Sequence, residues 1–297
     1  MQSTVLALIN DVLGEINQPA LSSLTIAPQQ STTQLIKNIE MHARSLRMTR
    51  VWPQQKKIFT FNTTSGRSKY PLPQDYFAAL PGTAWDDSRQ WRLLGPMSDM
   101  AFTDRTRGIV TSSIQTGYRV FGPDFNPTTS GGQFMVDPTP SSAFELSFEY
   151  ISGNTFLPPH WIVSEAVTTT TYRNANGANW KLKTNGTTSA TTPPAIPSTI
   201  TADVTDGSAV WNVHQPAYDR IITNNDLCLF DDEVMQAGLK WRFLKIRGLD
   251  YQEEKIEAEK FITLAVNRLS GTIIGQMDRP KTGINNRRFT PQGGWPL

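Results

Sequence analysis

From Thr4 to Ile16 the apolar residues Val5, Leu8, Ile9, Val12, Leu13 and Ile16 recur on one broad stripe, and that spacing predicts an amphipathic helix whose end Gly14 weakens. Past Pro19 and Pro28, Ser31 is placed to cap a second helix, in which Ile36, Ile39, Ala43 and Leu46 repeat at i, i+3, i+7 and i+10 before Trp52-Pro53 stops it. The pattern then shortens. Lys57 to Phe61, Tyr70 to Leu72, Ala84 to Trp85 and Trp91 to Leu94 are β-prone pieces separated by Gly, Pro, Asp and Ser; Tyr118 to Phe121, Gln133 to Val136 and Ala143 to Ile151 continue them. In the last of these, Phe144, Leu146, Phe148 and Tyr150 alternate with Glu145, Ser147 and Glu149, so the strand has one buried face.

Near residue 158 the pattern changes again. Pro158-Pro159 leads into a segment, reaching about Trp211, that is dense in Thr, Asn, Ser, Pro and Gly. Its aromatic residues Tyr172, Trp180 and Trp211 are spaced as the thin core of a small β module requires; the other use for such rings is a platform on which a glycan stacks. Asp206-Gly207 lies between Val204 and Val210-Trp211 and reads as a two-residue hairpin turn, because glycine accepts a positive φ and Asp tolerates it.

Helical spacing returns after residue 225. Asp231, Asp232 and Glu233 precede the stripe Val234, Ala237, Trp241 and Leu244; Lys240, Arg242, Lys245 and Arg247 follow, a charge order that complements the helix dipole, and Gly248 is the stop. A last helix starts near Asp250, puts Tyr251, Ala258, Ile262, Ala265 and Leu269 on one face, and ends at Gly271. Beyond it the chain has few core residues. Arg279, Lys281, Arg287 and Arg288 face only Asp278, and with Phe289 and Trp295 they have the make-up of a partner-docking tail.

The expected fold is therefore α+β: a helical bundle from the N- and C-terminal helices around a β-rich body, with an inserted small all-β module and an extended C-terminal tail. The boundaries are 1–157 and 214–270 for the core, 158–213 for the module and 271–297 for the tail.

Composition narrows the function classes. The 297 residues are 38% hydrophobic, enough for a real core, and 28 Lys plus Arg against 26 Asp plus Glu leave a net +2, far from the excess of a dedicated nucleic-acid binder. No apolar run approaches the roughly 20 residues of a membrane helix, and no signal-peptide pattern opens the chain, so the expectation is a protein made in a cytosol without a membrane anchor. Cys228 is the single cysteine, and His42, His160 and His214 are scattered, so neither disulfides nor a metal or other cofactor is implied.

Short catalytic signatures for nucleotides, hydrolases and metalloproteases are absent. The carboxylate pairs Asp86-Asp87 and Glu253-Glu254 read as solvated surface, Cys228 as a small buried apolar residue, and the sequons at Asn62 and Asn185 as chance matches. No catalytic residue is assigned, and the chain is not expected to be an enzyme.

The order of parts resembles the head-to-tail adaptor proteins of short-tailed bacteriophages: two amphipathic helices, a β body containing Tyr70-Pro-Leu-Pro-Gln-Asp-Tyr76, Trp85 and Trp91-Arg-Leu-Leu-Gly-Pro96, two closing helices and a tail. It covers roughly residues 1–157 and 214–297, while Tyr172 to Trp211 is similar to a small β module that recurs as an insert in phage virion proteins. The resemblance implies a structural virion protein that forms a ring, dodecameric by analogy, below the portal vertex in the tail of a virion assembled in a host bacterial cytoplasm. Its partners would be the portal protein, contacted by Arg279, Lys281, Arg287, Arg288, Phe289 and Trp295, and a tail tube or nozzle protein. Genomic DNA would pass through the lumen without sequence-specific binding. The other function carried by the sequence is a carbohydrate-binding decoration or host-contact protein acting through the module.

Overall fold

The computed structural model describes residues 3–24, 30–107, 115–122, 132–168, 170–197 and 201–269. Within them the chain mixes helices with antiparallel sheets, the α+β class. The helices are α1 (Val5–Glu15), α2 (Gln30–Thr49), α3 (Asp99–Arg107), α4 (Asp232–Arg247) and α5 (Gln252–Leu269). Thr4 caps α1 by accepting a bond from the Ala7 N–H. Helix α2 starts at Gln30, so Ser31 lies inside its first turn instead of capping it. Helix α4 keeps Asp232 and Glu233 in its first turn and Lys245 and Arg247 in its last, and ends at Gly248, whose φ of 71° lets the chain turn back so that Leu249 N–H reaches Leu244 O at 3.0 Å.

Val5, Leu8, Ile9, Val12 and Leu13 of α1 are all buried, and they share one apolar cluster with Leu35, Ile39, Ala43 and Leu46 of α2, Val234, Met235 and Leu239 of α4, and Ala265 of α5. Helix α4 packs on the other three. Toward α1 it sends Gln236 to Asp11 at 3.0 Å and Lys240 to Glu15 at 3.1 Å; toward α2, Arg242 to Ser45 at 3.1 Å; and Trp241 meets Tyr251 just ahead of α5. At Gly238 the helices α2 and α4 come so close that an added Cβ would lie 1.8 Å from His42 Nε2.

The β body uses β1 (Lys56–Asn62), β2 (Lys69–Pro71), β3 (Tyr76–Ala79), β4 (Trp85–Asp86), β5 (Trp91–Arg92), β6 (Gly117–Phe121), β7 (Gln133–Asp137), β8 (Glu145–Ser152) and β9 (Phe156–Leu157). β1 pairs antiparallel with β8, Phe59 opposite Phe148 and Phe61 opposite Leu146; β3 and β4 also pair with β8, and β5 with β4. A second sheet runs β2-β7-β6. The alternation read in β8 buries Leu146, Phe148 and Tyr150 against Tyr118, Phe134 and Val136 of that second sheet, and Phe134 stacks between Tyr118 and Phe148 at ring-centre distances of 4.8 and 5.0 Å. Helix α3 was not foreseen: it is polar and buries only Phe102, so no apolar stripe announces it.

Residues 158–213 hold β10 (Ala166–Val167), β11 (Tyr172–Ala175), β12 (Ala178–Thr184), β13 (Gly186–Thr187), β14 (Val204–Asp206) and β15 (Ala209–Val213), with the four-stranded order β11-β12-β15-β14 and a separate β10-β13 pair. β16 (Leu227–Cys228) then pairs with β9 and returns the chain to the helical core. The hairpin between β14 and β15 turns one residue later than the sequence suggested. Asp206 pairs with Ala209, so the turn is Gly207-Ser208, and Gly207 takes a φ of 66°.

Candidate interaction surfaces

Arg279, Lys281, Arg287, Arg288, Phe289 and Trp295 lie outside the described residues. Of the three module aromatics, Trp180 and Trp211 are both 0% exposed and share a cluster with Val167, Leu182 and Ala209. Neither ring is open to a glycan. Tyr172 is elsewhere: it meets His214 at 5.3 Å and Tyr218 at 5.8 Å, edge to face, and packs against the helical cluster. The structure thus puts two of these rings inside the module and the third at its seam with the rest of the chain.

That seam contains a cleft of about 470 Å³, lined on one side by Lys57, Pro71, Pro73, Asp75 and Tyr150 and on the other by Ala178, Asn179, Ile196, Val213 and His214. Asp75 belongs to the Tyr70 to Tyr76 stretch quoted above, and it is buried. Its Oδ1 accepts the Tyr150 hydroxyl at 2.8 Å, while Oδ2 accepts Ser152 Oγ and Lys57 Nζ, each at 2.7 Å. With both oxygens engaged, this carboxylate ties β1, the loop before β3 and β8 together. Burial, the neighbouring carboxylate and the hydrogen bond to it hold the Tyr150 hydroxyl protonated, well above its ordinary range. His214 is pushed toward its neutral form by burial and then by Lys181. The cleft is lined by proline, aliphatic, aromatic and amide groups beside one compensated ion pair.

No protein-family model and no curated protein matches the chain.

Asp206, read from sequence as a turn residue, is a buried anchor: Oδ2 accepts Trp161 Nε1 at 2.7 Å and Oδ1 accepts Ser189 N–H at 2.9 Å. Asp86 is also buried, accepting the Arg89 N–H at 2.9 Å, so only Asp87 of that pair is the solvated group that adjacent acids suggested. Glu253 and Glu254 stand in the first turn of α5. Cys228 is fully buried, and burial, followed by Asp232 and Asp226, raises its thiol well above the ordinary range, which suppresses the thiolate a nucleophile needs. Among the described residues no group of three His, Cys, Asp or Glu side chains has the arrangement of a metal site, and no helix is long and apolar enough to cross a membrane.

The helices also carry exposed apolar groups. Met41 and Met48 of α2, Val51 after it, Ile246 of α4, Leu249 in the turn and Ile256 of α5 are exposed, as are Trp85, Trp91 and Leu94 on the β body. The exposed methionines follow the buried stripe of α2 around the helix, a signal that sequence reasoning passed over because it sought the buried side of the pattern.

Proposed function

We propose that the chain is a structural virion protein: a ring-forming head-to-tail adaptor that joins the portal to the tail and lines the genome ejection channel. The observation that carries this reading is the set of apolar side chains left exposed along the helices and their connections, Met41, Met48, Val51, Ile246, Leu249 and Ile256. Helices from both ends of the chain converge on one cluster, so the finer architecture we assign is a helical bundle beside a β body with an inserted module. Large apolar groups on a well-packed unit suit side-by-side association of copies. A near-neutral chain suits a channel that passes DNA, since dense phosphate pairing would retard transit. This reading gives no residue a catalytic role; the buried carboxylates Asp75 and Asp206 serve the fold, with both oxygens engaged in hydrogen bonds.

Electron microscopy of the protein mixed with purified portal rings is the test: coaxial stacked rings support the adaptor, and protein that ignores the portal overturns it. A chain truncated after Gly271 is expected to keep its helices and lose portal docking.

A further inference from the structure

The exposed faces of α2 and α5 carry opposite net charge. Along α2 the residues Lys37, Met41, Arg44 and Met48 follow one stripe, with Met41 at 56% and Met48 at 74% exposure. Residues 41–51 contain Arg44, Arg47 and Arg50 and no carboxylate, a net +3. Arg44 is shared with Asp219 at 3.4 Å and Arg47 donates to Gly153 O, whereas Arg50 is exposed. On α5, Ile256, Phe261 and Leu264 line a shallow depression of about 530 Å³ together with Glu253, Glu254, Glu257 and Lys260. Residues 252–260 contain Glu253, Glu254, Glu257 and Glu259 against Lys255 and Lys260, four minus two, a net −2. Each face is thus an apolar strip edged by a net charge, positive on α2 and negative on α5.

We infer that the α2 stripe of one copy docks on the α5 depression of the next, a pairing that rests on the ring-forming reading and assigns the faces that make the contact. Two α2 stripes set against each other would juxtapose arginines, and two α5 strips glutamates; like charge across an interface disfavours both. Only α2 against α5 brings opposite charge to the rim and apolar groups to the centre, with Met41 and Met48 facing Ile256 and Leu264. Because the two surfaces differ, the contact is head to tail, and a closed rotation turns it into a ring. Methionine suits the centre, since its unbranched side chain fills an irregular depression.

Cysteine cross-linking of the full chain tests the pairing. Cys228 is fully buried and does not compete. Met48→Cys and Ile256→Cys in the same chain, treated with a mild oxidant at rising concentration and again on portal rings, are expected to give a ladder of covalent oligomers on non-reducing gels. Either single variant alone gives no covalent dimer, and mixing the two singles gives dimers only. In the double-cysteine chain, Arg50→Glu is expected to abolish most of the ladder and adding Glu257→Lys to restore it. A covalent dimer from Met48→Cys alone or from Ile256→Cys alone overturns the pairing. Rings seen by microscopy without a ladder from the double variant also overturn it and leave the adaptor reading standing. A ladder without stacking on portals upholds the pairing and removes the adaptor, and the absence of both rings and ladder overturns both.

Discussion

Trp161 Nε1 donates to Asp206 Oδ2 at 2.7 Å, across 45 positions of sequence, and joins the start of the inserted segment to its last hairpin. The other oxygen of the same carboxylate accepts Ser189 N–H, so one buried side chain holds three separate stretches of the module. Asp206→Ala leaves both donors without a partner, which costs about 1–3 kcal/mol. Urea unfolding followed by tryptophan fluorescence is expected to shift to lower denaturant by that amount, and Asp206→Asn, which keeps one acceptor oxygen, to shift less.

Asp75 plays the corresponding part in the body. Asp75→Ala removes the acceptor of Tyr150, Ser152 and Lys57 together. A loss of about 2–3 kcal/mol is expected, read as a lower thermal midpoint, with Asp75→Asn intermediate. Lys57→Met should cost less than Asp75→Ala, because Lys57 is partly exposed and exposed ion pairs contribute little.

Two glycines in helices should respond in opposite directions. At Gly14 of α1 nothing lies within 4 Å of an added Cβ, so Gly14→Ala is expected to stabilise by about 0.5–1 kcal/mol through helix propensity. At Gly238 the added carbon would collide with the buried His42 ring, and overpacking of about 1–3 kcal/mol exceeds the propensity gain. Thermal unfolding of the two variants beside the parent chain decides this.

His42 makes the helical core sensitive to acid. Its Nε2 bonds to Val234 O at 3.1 Å, and burial, with Arg242 nearby, lowers its pKa from 6.5 to about 4. The unfolded chain therefore takes up a proton that the folded chain refuses. Stability falls as pH drops from about 6.5 to about 4 and is flat in this contribution below that, for a total of about 3 kcal/mol. Unfolding free energies measured across that window should slope less in His42→Leu than in the parent chain.

Much of this was legible locally. The stripe Val5, Leu8, Ile9, Val12 and Leu13 needs only helical spacing to announce its buried face, and the alternation from Phe144 to Tyr150 needs only the strand period; both segments bury those residues. Gly248 stops α4 because it accepts the left-handed conformation, a property of the residue itself. The roles of carboxylates were not legible in the same way. Asp75, Asp86 and Asp206 look like turn or surface residues, yet each is buried, and for Asp75 and Asp206 the donors that make burial tolerable come mostly from remote strands and loops. The one-residue shift of the hairpin has the same origin: Asp206 is held in its strand by Trp161 and Ser189, and Gly207-Ser208 is left to turn.

The sequence by itself determined the elements whose signal repeats within a few residues: the terminal helices, the alternating strands and the helix stop at Gly248. Tertiary structure alone decided that Trp180 and Trp211 close a core while Tyr172 seals a seam, that α2 and α4 approach closely enough to require Gly238, and that Met41 and Met48 remain uncovered. The physical reason is range. Periodicity and φ preference act between neighbours along the chain, whereas burial, hydrogen-bond partnership and exposure depend on groups brought together by folding.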